Sequence, residues 1–562
     1  MSVNTIDGTL YSQLITSGAA NLGIHEEEVN NLNVFPIPDG DTGSNMLLTM
    51  TGGKNAIIDE KNLSKAAQVI SSGMLLGARG NSGVILSQFF DGISAGFGNL
   101  ENADVAQFGI ACREGVKHAY EAVMTPVEGT ILTVVKDATE YACSIPADSI
   151  LAFIENFISE AKLSLERTPN LLPVLKKAGV VDSGGAGLIY IMEGMRQFLK
   201  GEVIADSKDG KNDDVTKSVH GGSLGNQAKG LDLNKFTSDS VLEFGYCTEL
   251  LLRLQNAKCD VEKFSVETIK DYLGTIGNSI VAFKTGSIIK IHVHTKTPDK
   301  VFAFCQKYGE FLTVKVENMS LQHNNLDEEE FAKPKKVEKG QAKKYGVVAV
   351  ATGSGIQQMF RDHGADVIVD GGQSMNPSAE DFIKAFNEAN AETIFVFPNN
   401  SNVILAAKQA AKMFTDSKIV VIETKTIGQG YAALTMMDTS FNELNQIIDD
   451  INMAIDGVAT YLVSHCVRDA EMDGKLLHAG DYIGFLDKKI LVASNDRKKT
   501  AFQTVEAIDF TDHEVCILIR GADSTSYEEE EVKNYLLLKH PGIEVYEIDG
   551  QQDIYSYIFI VE

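Results

Sequence analysis

Asn33-Val-Phe-Pro-Ile-Pro-Asp39-Gly-Asp41-Thr-Gly-Ser-Asn45-Met46 places two carboxylates one glycine apart, in a turn that Pro36 and Pro38 stiffen. Oxygen-rich geometry of this kind suits Mg²⁺, which usually takes one or two protein carboxylates and fills its shell with phosphate oxygens and water. Gly40 and Gly43 leave room for the backbone to come close to a ligand. The bland alternative is a surface Asp-Gly turn.

Outward from this stretch, from Asp7 to about Gly201, the pattern is helical. Ile150, Phe153, Ile154, Phe157, Ile158 and Ala161 recur at three- and four-residue steps, as do Val105, Phe108, Cys112, Val116 and Ala119. Each set is the stripe of a helix that buries one face. Residues 1–201 are therefore expected to be an all-α module, with Cys112 as inert core. Residues 202–235 are polar, Gly-rich and without period, and are expected to be a linker. A second shift over 326–344, Glu328-Glu-Glu followed by six lysines, is expected to be a solvated hinge.

Between the linkers, residues 236–325 give the order β-α-β-β-α-β. The strands are expected at 243–254, 279–284, 288–295 and 312–317, with a hairpin about Thr285-Gly286. This is the order of a ferredoxin-like unit, whose first and third strands should be central neighbours. From Tyr345 to the end, short apolar runs (Val347–Ala351, Val367–Asp370, Ile394–Phe397, Ile419–Ile422) alternate with helical patterns. That alternation indicates α/β architecture with a parallel sheet. A second lobe is expected from near Asp473, and the Glu528–Glu531 run is expected to be the solvated start of a helix.

The bulk numbers fit this division. At 562 residues the chain exceeds one core, since domains average about 150 residues. Its net charge of −27 argues against nucleic acid and anionic membrane surfaces, whose affinity comes from Lys and Arg. A chain so acidic needs metal ions to hold a phosphorylated ligand. The start, Met-Ser-Val-Asn-Thr-Ile-Asp-Gly, carries neither a basic segment nor an apolar run, so no secretory signal is expected. No apolar stretch is long enough to span a membrane. The seven cysteines form no CxxC, which reads as reduced thiols and a cytoplasmic chain.

A second Gly-rich loop, Gly77-Ala-Arg79-Gly80-Asn81-Ser82-Gly83, leads into Val84-Ile-Leu-Ser. Asn81 or Ser82 can cap the new helix, and helix N-termini seat phosphates. Neither a P-loop nor a protein-kinase motif set occurs. The two loops together resemble the ATP-binding domain of the dihydroxyacetone kinase L-subunit family, in the version found in the ATP-binding subunit of bacterial fatty acid kinase. The resemblance implies an antiparallel helical barrel holding ATP and a pair of Mg²⁺. Asp39 and Asp41 match metal-binding aspartates of that family, and Asn33 stands nearest the place of a third. Thr42, Gly43, Ser44 and Asn45 match a turn that contacts phosphates, and Asn81, Ser82 and Gly83 a second phosphate loop. Thr130 and the segment with Asp182 and Gly184 match regions that close over the nucleotide.

The first module holds only His25 and His118, and neither looks like a general base. A carboxylate acceptor is already ionised and needs positioning and charge neutralisation rather than proton removal. An alcohol would more often want a base, worth roughly 10²–10⁴-fold. In the middle module His292 and His294 stand at i and i+2 of a strand and can share a ligand. Cys247, on the neighbouring strand of the expected topology, could complete a Zn²⁺ set, which the resemblance also matches. The bland alternative is a polar strand face and a buried thiol.

The last module looks like a divergent DegV-like domain, with polar loops at Gly371–Ser378, Pro398–Asn400 and Lys425–Gly430 placed after strands. The resemblance implies a docking platform for a separate DegV-like fatty acid-binding protein, and a homodimer. The function expected is ATP-dependent phosphorylation of a fatty acid carboxylate to an acyl phosphate, with Asp39 and Asp41 as the catalytic carboxylates. A dihydroxyacetone-type kinase and a non-enzymatic, lipid-responsive scaffold are the alternatives.

Overall fold

The computed structural model describes residues 3–33, 40–202, 246–261, 263–285, 287–318, 342–372, 376–439, 443–511 and 513–562. Two compact units emerge: residues 1–211 together with 340–562, and residues 212–339. The first and last modules thus form one body.

The helical module runs α1 (Gly8–Ile24), α2 (Glu26–Asn30), α3 (Thr42–Asn55), α4 (Leu63–Gly77), α5 (Gly80–Phe97), α6 (Val105–Glu121), α7 (Ile131–Ser144), α8 (Ile150–Leu171), α9 (Pro173–Ala178) and α10 (Ser183–Lys200). Local signals start many of these helices. Asp7 caps α1, Asn62 caps α4 and Ser149 caps α8, while Asp104 and Gln107 form a capping box on α6. The α8 stripe from Ile150 to Ala161 is buried throughout. At about 1.5–3 kcal/mol for each large side chain buried, packing of these stripes dominates the module's stability. Cys112 is core, and burial pushes its thiol up. One short antiparallel pairing, Thr5–Asp7 with Asn102–Asp104, adds strand to a module expected to be wholly helical.

The middle unit is an antiparallel sheet in the order Gly277–Thr285, Ile288–Thr295, Tyr246–Leu254, Gly309–Asn318. Its first and third strands in chain order are the central neighbours. Helices Glu267–Gly274 and Pro298–Cys305 complete it, and Ile269, Leu273, Val301 and Cys305 are buried in its core.

Among the described residues the C-terminal module has two large sheets and a small two-stranded one, Ala470–Met472 with Lys475–Leu477. The first is parallel, in the order Lys418–Val421, Ala391–Phe397, Lys343–Ala351, Val367–Asp370. The second starts at Ala459–His465, earlier than the sequence suggests, and has six strands. Only Val515–Arg520 and Glu544–Asp549 pair in parallel there. The other pairings are antiparallel, and between Tyr482–Leu486 and Lys489–Ser494 the connecting turn is too short for a parallel crossover. The four-Glu run does open a helix, Ser526–Lys539, but not as a wholly solvated face. Glu529 is 7% exposed and pairs with Arg520 at 3.0 Å, while Glu528 pairs with Arg497 at 2.6 Å.

The parallel sheet joins the helical module through a shared apolar cluster. Ala78, at the end of α4, and Val84, near the start of α5, pack with Val348, Val350, Phe382 and their neighbours. No helix among the described residues is long and apolar enough to cross a membrane.

Candidate nucleotide and metal site

Helix α3 begins at Thr42 with Asp41 at its N-cap, yet the Asp41 carboxylate does not cap it. Asn30, from the end of α2, does so instead. Its Oδ1 accepts the N–H of Gly43 at 2.7 Å and of Ser44 at 3.3 Å. Asp41 is thereby left to other partners. Its carboxylate accepts from the side chains of Asn45 and of Asn376, the latter on the C-terminal module. Burial pushes the Asp41 carboxyl up to about 6.

The start of α5 lies against α3. Gly80 has φ +57°, and a Cβ there would stand 2.5 Å from Asn45 Nδ2. At Gly83 a Cβ would collide with Thr49 Oγ1. Only glycine allows both the left-handed conformation and this approach. Neither α3 nor α5 has a side-chain cap from its own N-cap residue, Asp41 or Arg79.

Two further helix starts join them. Ser183 Oγ donates to Thr42 Oγ1 at 3.2 Å, tying α10 to α3. Asp182 caps α10 through Gly185 N at 2.7 Å and also accepts from Ile131 N at the start of α7. Burial pushes its carboxyl up to about 6 despite these bonds. The starts of these helices bring partial positive charge that favours an anion, each worth about 0.3–1 kcal/mol, while leading amides of α3, α7 and α10 are already held by Asn30 and Asp182. The donor set thus fits phosphates and a hard cation.

The structure brings together Asp41, Thr42, Gly43, Asn45, Gly83, Asp182 and Gly184. Ser44 is committed to α2, its hydroxyl donating to Glu26 at 2.6 Å. Thr130 stands at the N-cap of α7, but its hydroxyl donates to Val127 O at 2.8 Å and does not cap. Asn81 donates to Asn402 of the C-terminal module at 3.4 Å, beside half-buried Ser82. Asn33 lies beside Gly40, and Asp39 lies outside the described residues. His25 bonds Glu28 at 3.1 Å, and His118 bonds Asp91 at 3.2 Å.

Asn30, Arg79 and Asn376 are the residues that sequence reasoning missed. Arg79 Nη1 donates to the Asn376 carbonyl at 2.7 Å, and its Nη2 lies 3.5 Å from Asp381. Asn376 belongs to the polar loop after Val367–Asp370, and Asn402 follows Pro398–Asn400. At these residues the loops meet the helical module, a destination no local signal announces.

In the middle unit the backbone register pairs Cys247 with His294 and Glu249 with His292. The side chains of Cys247, His292 and His294 lie outside the described residues. Among the described residues no group of three His, Cys, Asp or Glu could hold a metal ion.

Comparison with known proteins matches residues 36–197 to the DAK2 domain. Residues 243–326 match the middle domain, and residues 346–562 the C-terminal domain, of the FakA-like fatty acid kinase family. Protein YloV of Bacillus subtilis is 39% identical over 572 residues, covering all of both chains. Uncharacterized proteins of Staphylococcus saprophyticus and Staphylococcus aureus are 37% and 36% identical, again over the full length of both chains. Among solved structures, the dihydroxyacetone kinase from C. freundii in complex with AMP-PNP and Mg²⁺ aligns with 34% of this chain and 34% of its own. Its identity is 20% and its TM-score 0.28. The Fatty Acid Kinase (Fak) B3 protein of Streptococcus pneumoniae, loaded with linoleic acid, aligns with 39% of this chain and 99% of its own, at 10% identity and TM-score 0.30.

Proposed function

Because the chain belongs to the FakA-like fatty acid kinase family, we propose that it is the ATP-binding subunit of such a kinase. It transfers the γ-phosphoryl group of ATP to the carboxylate of a fatty acid that a separate DegV-like fatty acid-binding protein presents. The products are an acyl phosphate and ADP. The observation that carries this reading is the Asp41 carboxylate, released from capping by Asn30 and set where α3 and α5 begin.

In this reading Asp41, with Asp39 and Asn33, holds Mg²⁺. Bound there, the cation neutralises charge on the phosphate oxygens. Thr42, Asn45, Asn81 and Ser82 bind phosphates through hydroxyl and amide donors, and Gly43 and Gly83 let the backbone come close to them. Asp182 holds the starts of α7 and α10 together beside them, with Thr130 and Gly184 at those two helix starts. A fatty acid carboxylate attacks as the anion it already is, so the transfer requires no base from the helical module.

ATP consumption by the purified chain with Mg²⁺ and oleate, with and without the lipid-presenting protein, tests the proposal. Turnover that needs lipid and presenter together is expected. Turnover with dihydroxyacetone instead would overturn the acceptor assignment.

A Zn²⁺ site formed by Cys247, His292 and His294 is the companion proposal, supported by the register that sets Cys247 opposite His294. Elemental analysis of the purified chain should find bound zinc, lost in Cys247→Ser.

A further inference from the structure

Asn376 is where the C-terminal module enters the nucleotide site. It is 1% exposed, and its Nδ2 donates to Asp41 Oδ2 across 335 residues of sequence. Its carbonyl is held by Arg79, at the N-cap of α5. With Nδ2 so engaged, Oδ1 is buried and has no hydrogen-bond partner among the described residues. Turning the amide over would set its oxygen against a carboxylate oxygen, two acceptors face to face, so the orientation follows from the chemistry of the pair. Leaving an amide oxygen buried and unpaired destabilises the fold. Beside a buried carboxylate, the group that offsets this cost is one that seeks oxygen.

We propose that Asn376 is a positioning residue of the Mg²⁺–nucleotide site, holding Asp41 through Nδ2 and offering Oδ1 to the cation's hydration shell. The metal site is then assembled from both ends of the chain, and the C-terminal module is part of the nucleotide machinery. The inference rests on the function proposed above.

The test is Mn²⁺ binding to the full-length chain, read by electron paramagnetic resonance with a non-hydrolysable ATP analogue. Asn376→Ala should weaken Mn²⁺ binding about 10–100-fold, as loss of an outer-shell partner does. Asn376→Leu, close in shape, should show the same loss with an unchanged unfolding profile. Gln409→Ala cuts different bonds across the same interface, those with Gln88 and the Leu75 carbonyl, and should keep wild-type affinity. Normal Mn²⁺ affinity in both Asn376 variants would overturn the inference alone. So would an equal loss in Gln409→Ala, which would assign the effect to module docking. A wild-type chain that binds no Mn²⁺–nucleotide would overturn the proposed function as well.

Discussion

Asp41 and Asp182 show how position decides the work of a carboxylate. Both stand at helix N-caps, and burial raises both to about 6. Asp182 commits its oxygens to N–H groups, whereas Asp41 is relieved of that task by Asn30. Asp41→Asn should therefore lower turnover by roughly 10²–10³-fold, as loss of a preorganised electrostatic group does, while the chain still folds. Asp182 makes a pH prediction. Its carboxyl titrates near 6 when folded and near its ordinary value of 3.8 when unfolded. Between those values the native state binds a proton that the unfolded state has lost, so this group's contribution to stability rises as pH falls from 7 towards 4. Thermal unfolding of the metal-free chain at pH 7.5 and 5.5 should show that gain. Asp41, raised likewise, adds a gain of the same sign, so Asp182→Asn, which keeps the cap but does not titrate, should show a smaller gain than the unaltered chain.

At the scale of elements, the site depends on how closely α3 and α5 begin. Gly80→Ala must place a side chain in a left-handed conformation and against Asn45. It should cost more than about 1 kcal/mol and weaken nucleotide binding along with stability. Asn30→Ala removes the cap of α3 from a distance and should cost about 1 kcal/mol, read as a lower unfolding midpoint. Much at this scale was legible in sequence. The buried stripe of α8, the strand and helix order of the middle unit and the parallel strands of the first C-terminal sheet follow from periodicity, because each is a local pattern of one element. The antiparallel second sheet was not legible, since a short apolar run is the same in either orientation. Nor was the Asn30 cap, because a cap supplied from the preceding helix carries no fixed spacing.

For the whole molecule, the decisive contact is that of the first and last modules. Val84 is 2% exposed in the cluster they share. Val84→Asp would set a charge in that apolar seam and should split one thermal unfolding transition into two, seen by calorimetry. A single unshifted transition would show that the seam does not couple them. By itself the sequence determined most of the helices and the apolar strands, and singled out Asp41, Thr42 and the Asn81–Gly83 loop as candidate site residues. These are readings of neighbours along the chain, where side-chain period, glycine and capping residues act over a few positions. Only the tertiary structure decided that Asn30 frees Asp41, that Arg79 holds the Asn376 carbonyl, and that Asn376 reaches Asp41. Those contacts depend on packing whole elements from opposite ends of the chain, and no local preference encodes a partner 335 residues away.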